Sequence, residues 1–223
     1  SEKFAGRSQW HKDWIDLEFD PVMEVELNPN WKNFGDYTTA LRKKPRTKIR
    51  RILRGSEEMR LKNLTLNEVQ AYSQDLHALY TQVYDRAGFK LGRLYPEDIV
   101  ELKRQWGDNF PVIAYYLDDE LVGFQCGITT KSCTEAFFVG FSIEDNKIHY
   151  IYQRMLLEFI MQAISTRSKR ISLGRTVLDI KSSLGACPKR LVCHMRVDRP
   201  LVHALTKVIA RASSPKIPQL KRA

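Results

Sequence analysis

Two apolar runs, residues 110–117 and 120–129, are separated only by the dipeptide Asp118-Asp119. Apolar strands joined by two turn residues predict an antiparallel β-hairpin, and this pair constrains the fold more than any other feature of the chain. A third strand is predicted at residues 135–143, because its apolar side chains follow the hairpin directly. The middle of the chain is therefore expected to form three neighbouring antiparallel strands.

The segments on either side of this hairpin alternate between strand-like and helix-like patterns. Helical spacing predicts a long helix capped by Thr65 or Asn67 and another over residues 150–166, while Pro96 is expected to open a shorter helix. Glu144-Asp145-Asn146 is expected to form a turn. Further strands are predicted at residues 22–27, 59–66, 170–174 and 190–197, and further helices at residues 37–43, 45–54 and 177–184 and after Pro200. The order predicts an α+β fold with a mixed, mostly antiparallel twisted sheet flanked by helices.

The formal net charge of +10 is concentrated in two segments of the 223-residue chain. Residues 42–54 contain eight basic side chains and residues 199–223 contain six, and neither segment contains an acidic one. The remaining residues carry 22 basic against 26 acidic side chains, which excludes a uniformly basic protein of the histone type. A hydrophobic fraction of 43% with 11 Gly and 9 Pro likewise excludes a disordered or fibrous chain.

No cysteine or histidine pattern in the sequence predicts a metal site. The cysteines form no CxxC motif, and the five histidines lack metal-ligand spacing. Cys126 and Cys193 lie in apolar strand-like runs, so buried free thiols in a reducing cytoplasm are expected. No run approaches the roughly 18 apolar residues that a spanning helix requires. We therefore expect a cytoplasmic protein without a metal.

The succession of elements, with the Asp118-Asp119-Glu120 turn feeding the phrase LVGF, resembles the GNAT acyltransferase superfamily over residues 59–200. Three phrases are similar to the branch of Fem-type peptidoglycan aminoacyltransferases and of acetyltransferase-like proteins of polysaccharide biosynthesis: RAGFKLGRLYPEDI, IHYIYQRMLLEFIMQAI and ISLGRTVLDIKSSLGA. The upstream FGDYTTALRKKPRTKIRRILR resembles the helix that precedes the C-terminal lobe in that branch.

The resemblance implies three segments and a partner lobe. The three segments are a lead-in at residues 1–56, a GNAT-like domain at residues 57–212 and a basic tail at residues 213–223. Such proteins often have two GNAT-like lobes. The resemblance therefore implies that this chain is the second lobe together with its lead-in. Independently, because the chain begins at Ser1 without a methionine, it is expected to be trimmed or to be a piece of a longer protein.

The resemblance places an acyl donor at the start of the helix that begins near residue 150. Helix N-termini bind anions through free N–H groups and the helix dipole, so Tyr150, Gln153 and Arg154 are candidate contacts to acyl-CoA. The segment EDNKIHYIYQRM lacks the glycines of the usual acetyl-CoA loop, however, and some members of the branch use aminoacyl-tRNA instead. The competing interpretation is that the tyrosines pack and Arg154 is a solvated charge.

Two further cationic pairs are candidate site residues. Arg175, which follows a strand, and Lys181 in the next short helix can together hold a phosphate, a carboxylate or a developing oxyanion. In the resembled branch, the lysine of this helix faces the cleft. Lys90 and Arg93 lie in a glycine-bearing loop that forms one wall of the acceptor site in GNAT folds, which suits an anionic acceptor. For both pairs the alternative is a set of ordinary surface cations.

No general base is identified by the sequence. Three carboxylates lie nearby by topology: Asp179, Glu135 and Glu144. The tyrosine that many GNAT enzymes use as the acid toward the leaving thiolate is absent from residues 175–185, and no GxSxG nucleophile motif occurs. These departures favour, as an alternative to an enzyme, a binding module that kept the fold without the chemistry.

The basic segment at residues 42–54 is amphipathic if it is helical. Its basic face is expected to comprise Arg46, Arg50, Arg51 and Arg54, opposite Ile49, Ile52 and Leu53. Such a face is typical of a contact with tRNA or with an anionic membrane surface, and also of a helix docked on its own protein with solvated charges. We therefore expect an acyltransferase that moves an acyl or aminoacyl group to an amine or hydroxyl, with a cell-envelope or polysaccharide acceptor implied by the resemblance.

Overall fold

The computed structural model describes residues 14–199 except 89 and 91, together with residues 202, 203, 205, 206, 208 and 209. The chain divides into two compact units. The larger unit contains residues 23–187, and the smaller unit contains the residues before 23 and, among the described ones, those from 188 onward. The predicted tail at residues 213–223 lies outside the described residues, and the predicted boundary at residue 56 stays a prediction.

The larger unit is built on a mixed, mostly antiparallel sheet. Its strand order is β2-β3-β4-β5-β6-β1, and every neighbouring pair is antiparallel except β5 and β6, which are parallel. The hairpin β3–β4 turns at Asp118 and Asp119, both of which have positive φ angles. The strands are β1 (Trp14–Glu26), β2 (Arg60–Asn63), β3 (Val112–Leu117), β4 (Glu120–Thr129), β5 (Thr134–Phe141) and β6 (Arg170–Ser172).

Eight helices accompany this sheet in the described part of the larger unit: α1 (Phe34–Ala40), α2 (Lys43–Gly55), α3 (Leu66–Ala71), α4 (Ser73–Asp85), α5 (Pro96–Trp106), α6 (Ile143–His149), α7 (Ile151–Ser165) and α8 (Leu178–Ser182). Ala114 belongs to a core cluster shared with α4 and α5, whereas its neighbour Tyr115 belongs to a cluster shared with α7. Because successive side chains of a strand point to opposite faces, helices cover both faces of the sheet. The predicted fold class is confirmed.

Helix α4 rests directly on strand β5 at Gly140. A Cβ atom at this glycine would lie 2.4 Å from the backbone nitrogen of Tyr80 and 2.4 Å from Cε1 of Phe124. Since real Cβ atoms do not approach other atoms so closely, only glycine permits this contact.

The structure corrects the predicted turn at residues 144–146. These residues lie in helix α6, where the hydroxyl of Ser142 accepts a hydrogen bond from the backbone N–H of Asp145 at 3.3 Å. Acidic side chains are favourable in the first turn of a helix, which explains why Glu144 and Asp145 fit there as well as in a turn. The predicted long helix is also divided, because α3 ends before Tyr72 and α4 begins after it.

In the smaller unit, the first part of β1 pairs with β7 (Cys187–Arg196). Arg190 forms an ion pair with Glu18, and Nδ1 of His194 lies 2.7 Å from a carboxylate oxygen of Asp16. Cys193 on β7 is exposed, which corrects the prediction of a buried thiol. An apolar run of sequence does not ensure burial, since β7 has exposed or half-buried side chains along its whole length. Cys126, in contrast, is buried as predicted.

None of the helices formed by the described residues is both long enough and apolar enough to cross a membrane.

Candidate active site

The sheet opens between the parallel strands β5 and β6. Among the described residues, the ladder that joins them consists of two pairs at the beginning of β5, Thr134 with Ile171 and Glu135 with Ser172. Strand β5 continues to Phe141, whereas the residues after β6, Leu173 and Gly174, bond to the backbone of Met23 in β1. Strand β6 therefore leaves β5, and most of the β5 edge on that side has no strand partner.

The amine of Lys181 lies beside the end of β6. A Cβ atom on Gly174 would be 3.8 Å from Nζ of this lysine, and the Lys181 side chain is only 2% exposed. No hydrogen bond or ion pair to Nζ occurs within the described part of the chain. Desolvation by burial lowers the pKa of Lys181 to about 8, because water no longer stabilises the charged form. A buried amine without a partner is costly for a fold and is typical of a functional site.

The helix that carries Lys181 is short and held at both ends. Val177, immediately before α8, has a left-handed backbone with φ 53°, which is strained for a β-branched residue. After α8, Gly185 has φ 99°, a conformation that glycine adopts without strain. Two left-handed backbone conformations therefore flank α8 within nine residues.

Helices α1 and α2 of the predicted lead-in dock on the residues that follow α8. Tyr37 Oη donates a hydrogen bond to the carbonyl oxygen of Leu184, and Nζ of Lys48 donates to Oγ of Ser183 at 2.6 Å. Tyr37 is 1% exposed, so its hydroxyl depends on this acceptor. The lead-in thereby supports the segment that positions Lys181.

Replacing Tyr37 with phenylalanine is expected to lower the free energy of unfolding by about 1–2 kcal/mol, because the buried Leu184 carbonyl loses its donor. Urea denaturation followed by tryptophan fluorescence measures this change. Tyr95→Phe is the matched control, since the Tyr95 side chain is 56% exposed and its substitution should leave the midpoint unchanged. Equal midpoints for the wild type and Tyr37→Phe would contradict the proposed support.

The N-terminus of α7 is approached by helices rather than by a glycine loop. Tyr150, which links α6 to α7, has a left-handed backbone. Its ring lies against Gly55 of α2, because a Cβ atom added to that glycine would be 2.7 Å from Cδ2 of Tyr150. The guanidinium of Arg51 lies 5.7 Å from the centre of the same ring. The side-chain oxygen of Asn146 accepts a hydrogen bond from the Tyr152 N–H at 2.8 Å, so this first-turn amide already has an acceptor.

The other two predicted donor contacts have different surroundings. Arg154 forms an ion pair with Glu158, with a distance of 2.8 Å from Nε to Oε1, and both side chains are largely buried. Gln153 has a buried side-chain oxygen without a hydrogen-bond partner. An orphaned acceptor beside the first turn of a helix is a position where a ligand can donate a hydrogen bond.

A second buried polar pair lies between the sheet and α7. Tyr115 Oη donates to the side-chain oxygen of Gln125 at 2.6 Å, whereas the Gln125 amide nitrogen is buried without a partner. Burial raises the pKa of Tyr115 well above its usual value; Glu158 raises it further and Arg154 opposes the shift. The phenol therefore stays protonated and acts as a hydrogen-bond donor.

The remaining predicted site residues lie at the surface or close to it. Arg175 is half-buried, one residue after Gly174. Nζ of Lys90 lies 4.9 Å from the centre of the Tyr84 ring and 3.7 Å from a carboxylate oxygen of Asp85. Arg93 is exposed. Exposed side chains are also found at the three candidate bases, Asp179, Glu135 and Glu144.

Helix α2 has the amphipathic character that its sequence predicts. Ile49 and Ile52 are buried, whereas Arg50, Arg51 and Arg54 are exposed and Arg46 is half-buried. Partial burial and the nearby Arg51 lower the pKa of Lys48, which lies on the docked side of this helix.

Sequence reasoning missed several residues of this region. Tyr37 and Lys48 contact residues more than 130 positions away in the chain, and no local pattern signals such a contact. The hydrogen bond that Asn146 accepts could have been anticipated from the sequence, because an asparagine shortly before a helix is a common acceptor for first-turn amides. Among the described residues, no group of three or more His, Cys, Asp or Glu is arranged to hold a metal ion.

Neither a protein-family model nor a curated protein matches the sequence. Solved structures do match the fold. FemX is similar with a TM-score of 0.59 and 9% identity, over 87% of this chain and 65% of that one. The C-terminal domain of a putative lysylphosphatidylglycerol synthetase from Agrobacterium fabrum is similar with a TM-score of 0.54 and 14% identity, over 90% of this chain and 66% of that one.

A conserved protein of unknown function from Bacteroides thetaiotaomicron is similar with a TM-score of 0.58 and 15% identity, over 87% of this chain and 66% of that one. The chain thus spans just under two thirds of the length of these structures. Identities this low show a shared fold and not a shared activity. The chain therefore has a GNAT-type fold, as the sequence predicted, in common with FemX and with the synthetase domain.

Proposed function

We propose that this chain is the catalytic lobe of an acyltransferase that moves an acyl or aminoacyl group from an activated ester to an amine or hydroxyl. The observation that carries the proposal is the buried, unpaired amine of Lys181 beside Gly174, at the end of the strand that leaves β5. A fold alone does not specify a function, but an uncompensated cation next to an opening in the sheet is a site for developing negative charge.

In the proposed reaction, the acceptor attacks the carbonyl carbon of the donor and forms a tetrahedral oxyanion. Because the pKa of Lys181 is about 8, most of its amine is protonated at neutral pH and can stabilise this oxyanion. The unpaired backbone edge of β5 supplies further N–H donors toward the donor carbonyl. Collapse of the oxyanion breaks the bond to the thiolate or ribose oxygen of the donor, and this leaving group takes up the proton that the acceptor loses. Arg175, one residue after Gly174, is proposed to hold an anionic part of a substrate.

Two donor classes are compatible with the start of α7, where Tyr150, Gln153 and Arg154 are the proposed contacts. Acyl-CoA would need first-turn amides for its pyrophosphate, and Asn146 already occupies the Tyr152 N–H. Aminoacyl-tRNA would instead use cationic side chains, and α2 presents a suitable basic face next to the α6–α7 junction. We favour aminoacyl-tRNA, with the basic face of α2 as its phosphate contact: Arg46, Arg50, Arg51 and Arg54. An anionic membrane is the competing partner of that face.

The proposed acceptor is an anionic cell-envelope or polysaccharide precursor met in the cytoplasm. Lys90 and Arg93 lie in the loop between α4 and α5, and their positive charges suit such an acceptor. A second GNAT-like lobe, outside this chain, is proposed to complete the binding site.

Filter binding and calorimetry with acetyl-CoA, a longer acyl-CoA and aminoacyl-tRNA test the donor. We expect tRNA affinity that falls steeply with salt and decreases at least about tenfold in Arg50→Glu plus Arg51→Glu, because several phosphate contacts are lost. Single-turnover transfer from the bound donor to an amine-containing precursor then tests the chemistry. Binding without transfer would identify a binding module, and no binding of any donor would refute the proposal.

A further inference from the structure

Strand β5 contains a bulge beside the opening of the sheet. Phe138 pairs with Cys126 of β4, and Ala136 pairs with the next residue of β4, Gly127. Phe137 is therefore an extra residue without a partner in β4. Such a bulge changes the direction in which a side chain points and is common next to binding sites. The Phe137 side chain is 46% exposed, although β5 lies in the interior of the sheet.

The register of β5 and β6 places Phe137 across the opening from the buried amine. Glu135 pairs with Ser172, and the two strands are parallel. Two residues further along each strand, Phe137 and Gly174 lie at the same level on the two sides of the opening. Gly174 is the residue beside which Nζ of Lys181 lies. Phe137 and this amine thus flank the opening at the point where β6 leaves β5.

A carboxylate lies on the same face of the sheet as Phe137. Ile128, the β4 partner of Glu135, packs against the core cluster of α4 and α5, as Phe138 does. Residues that pair across two strands share a face, so Glu135 and Phe138 both lie on the α4 side. The ring of Phe137 is centred 4.3 Å from the ring of Phe138, which places it on this side too.

The Glu135 carboxylate is not neutralised by the neighbouring strand. Arg170 of β6 pairs with Glu24 of β1 instead, with a distance of 3.5 Å from Nε to Oε1. Within the described part of the chain, Glu135 is exposed and its carboxylate has neither a hydrogen bond nor an ion pair. A carboxylate and an aromatic ring together bind an organic ammonium ion, through a charge-assisted hydrogen bond and a cation–π contact. A neutral hydroxyl makes neither of these interactions at full strength.

We propose that Glu135 and Phe137 bind a primary ammonium group, so that the acceptor is an amine and not a hydroxyl compound. The inference rests on the proposed function and names the substrate class of the same site. The carboxylate pairs with the ammonium group, and the ring of Phe137 lies against its charge. The proton that the ammonium group loses before the amine attacks is the one that the leaving group takes up.

A row of aromatic rings connects this subsite with the loop that carries Lys90. The ring of Phe138 meets that of Tyr80 edge-on at 5.8 Å, and the Tyr84 ring follows at 5.5 Å. Nζ of Lys90 lies 4.9 Å from the centre of the Tyr84 ring. The amine end of the acceptor therefore lies at the opening, and its anionic end lies toward this loop.

Titration of the isotope-labelled 223-residue chain with pentylamine or with 1-pentanol, followed by NMR at neutral pH, tests the inference. The two probes share an apolar chain, and only pentylamine carries a positive charge. Pentylamine should shift the amide signals of β5 around Phe137 and bind at least about tenfold more tightly than 1-pentanol. The double substitution Glu135→Gln plus Phe137→Leu should weaken pentylamine binding about tenfold, because both contacts to the charge are lost.

Glu97→Gln plus Trp106→Leu is the matched control, because both side chains are exposed and lie on α5. It should leave pentylamine binding unchanged, and both double variants should melt at the wild-type temperature. Equal affinity for the amine and the alcohol, or equal amine binding by the wild type and the Glu135–Phe137 variant, would overturn the inference. Binding requires no acyl transfer, so a protein that binds the amine and transfers nothing contradicts only the proposed function. Equal transfer to amine and hydroxyl acceptors contradicts only the inference.

Discussion

Replacing Lys181 with methionine is expected to abolish acyl transfer and at the same time to stabilise the protein. Burial lowers the pKa of Lys181 from 10.5 to about 8, so the unfolded state binds this proton more strongly than the folded state does. The free energy of unfolding of the wild type should therefore rise between about pH 8 and pH 10.5. Below pH 8 the fold carries the full penalty of burying the charged amine. Methionine removes the penalty, and the free energy of unfolding at pH 7 should increase by on the order of 2 kcal/mol.

Urea denaturation at pH 7 and pH 9.5 measures the stability change, and a transfer assay measures the activity. The variant should be more stable than the wild type at pH 7 and should lose the rise in stability with pH that the wild type shows. Lys103→Met is the matched control. Lys103 is also buried, and burial lowers its pKa too, but its amine donates a hydrogen bond to the carbonyl oxygen of Gly107 at 3.2 Å. Its removal should therefore stabilise the fold less than removal of Lys181, because this hydrogen bond is lost, and should not affect transfer. A Lys181→Met protein that is less stable than the wild type at pH 7, or that still transfers acyl groups at the wild-type rate, would contradict the assignment.

Replacing Gly140 with alanine is expected to destabilise the protein by about 3 kcal/mol, which is a large effect for one methyl group. The added Cβ would meet the backbone nitrogen of Tyr80 at 2.4 Å and the backbone carbon of Leu79 at 2.7 Å. Backbone atoms within a helix cannot move aside as the end of a flexible side chain can, so α4 would have to shift away from β5. Thermal unfolding monitored by circular dichroism should show a melting temperature lower by roughly 5–10 °C.

Gly88→Ala provides the comparison, because no atom lies within 4 Å of a Cβ at that position. It should leave the melting temperature unchanged or raise it slightly, since alanine restricts the unfolded chain. If both alanine variants melted at the wild-type temperature, the close packing of α4 on β5 would be wrong.

The central hairpin was predictable because its information is local: two apolar strands and a two-residue turn are adjacent in the sequence. The same locality explains the error at residues 144–146, since Glu144 and Asp145 suit a turn and the first turn of a helix equally well. What decides between them is the N-cap hydrogen bond of Ser142 together with the packing of α2 against α6. Cys193 illustrates the limit for burial, because an apolar run of sequence does not show whether another layer of the protein covers it.

The sequence indicated which residues are candidates for the site, but not how buried each of them is or what it contacts. Lys181 was identified as a candidate partly by resemblance to a family motif. The residues that follow its helix, however, contact α1 and α2, which are far away in the chain and meet this segment only in the folded protein. Glu158, the partner of Arg154, lies one helical turn away and was accessible to sequence reasoning as an i,i+4 pair. The roles of all the candidate site residues stay predictions: Lys90, Arg93, Tyr150, Gln153, Arg154, Arg175 and Lys181.

The early separation of β5 from β6 has a consequence for solubility. Unpaired strand edges usually lie at the borders of a sheet, where they recruit strands of other molecules and promote aggregation. Here the free edge lies in the interior of the sheet, between two strands that remain joined at one end. A whole foreign β-sheet cannot enter such a slot, whereas a single extended chain or a slender flexible ligand can. The unpaired edge of β5 is thus less accessible to strands of other copies than an edge at the border of the sheet would be.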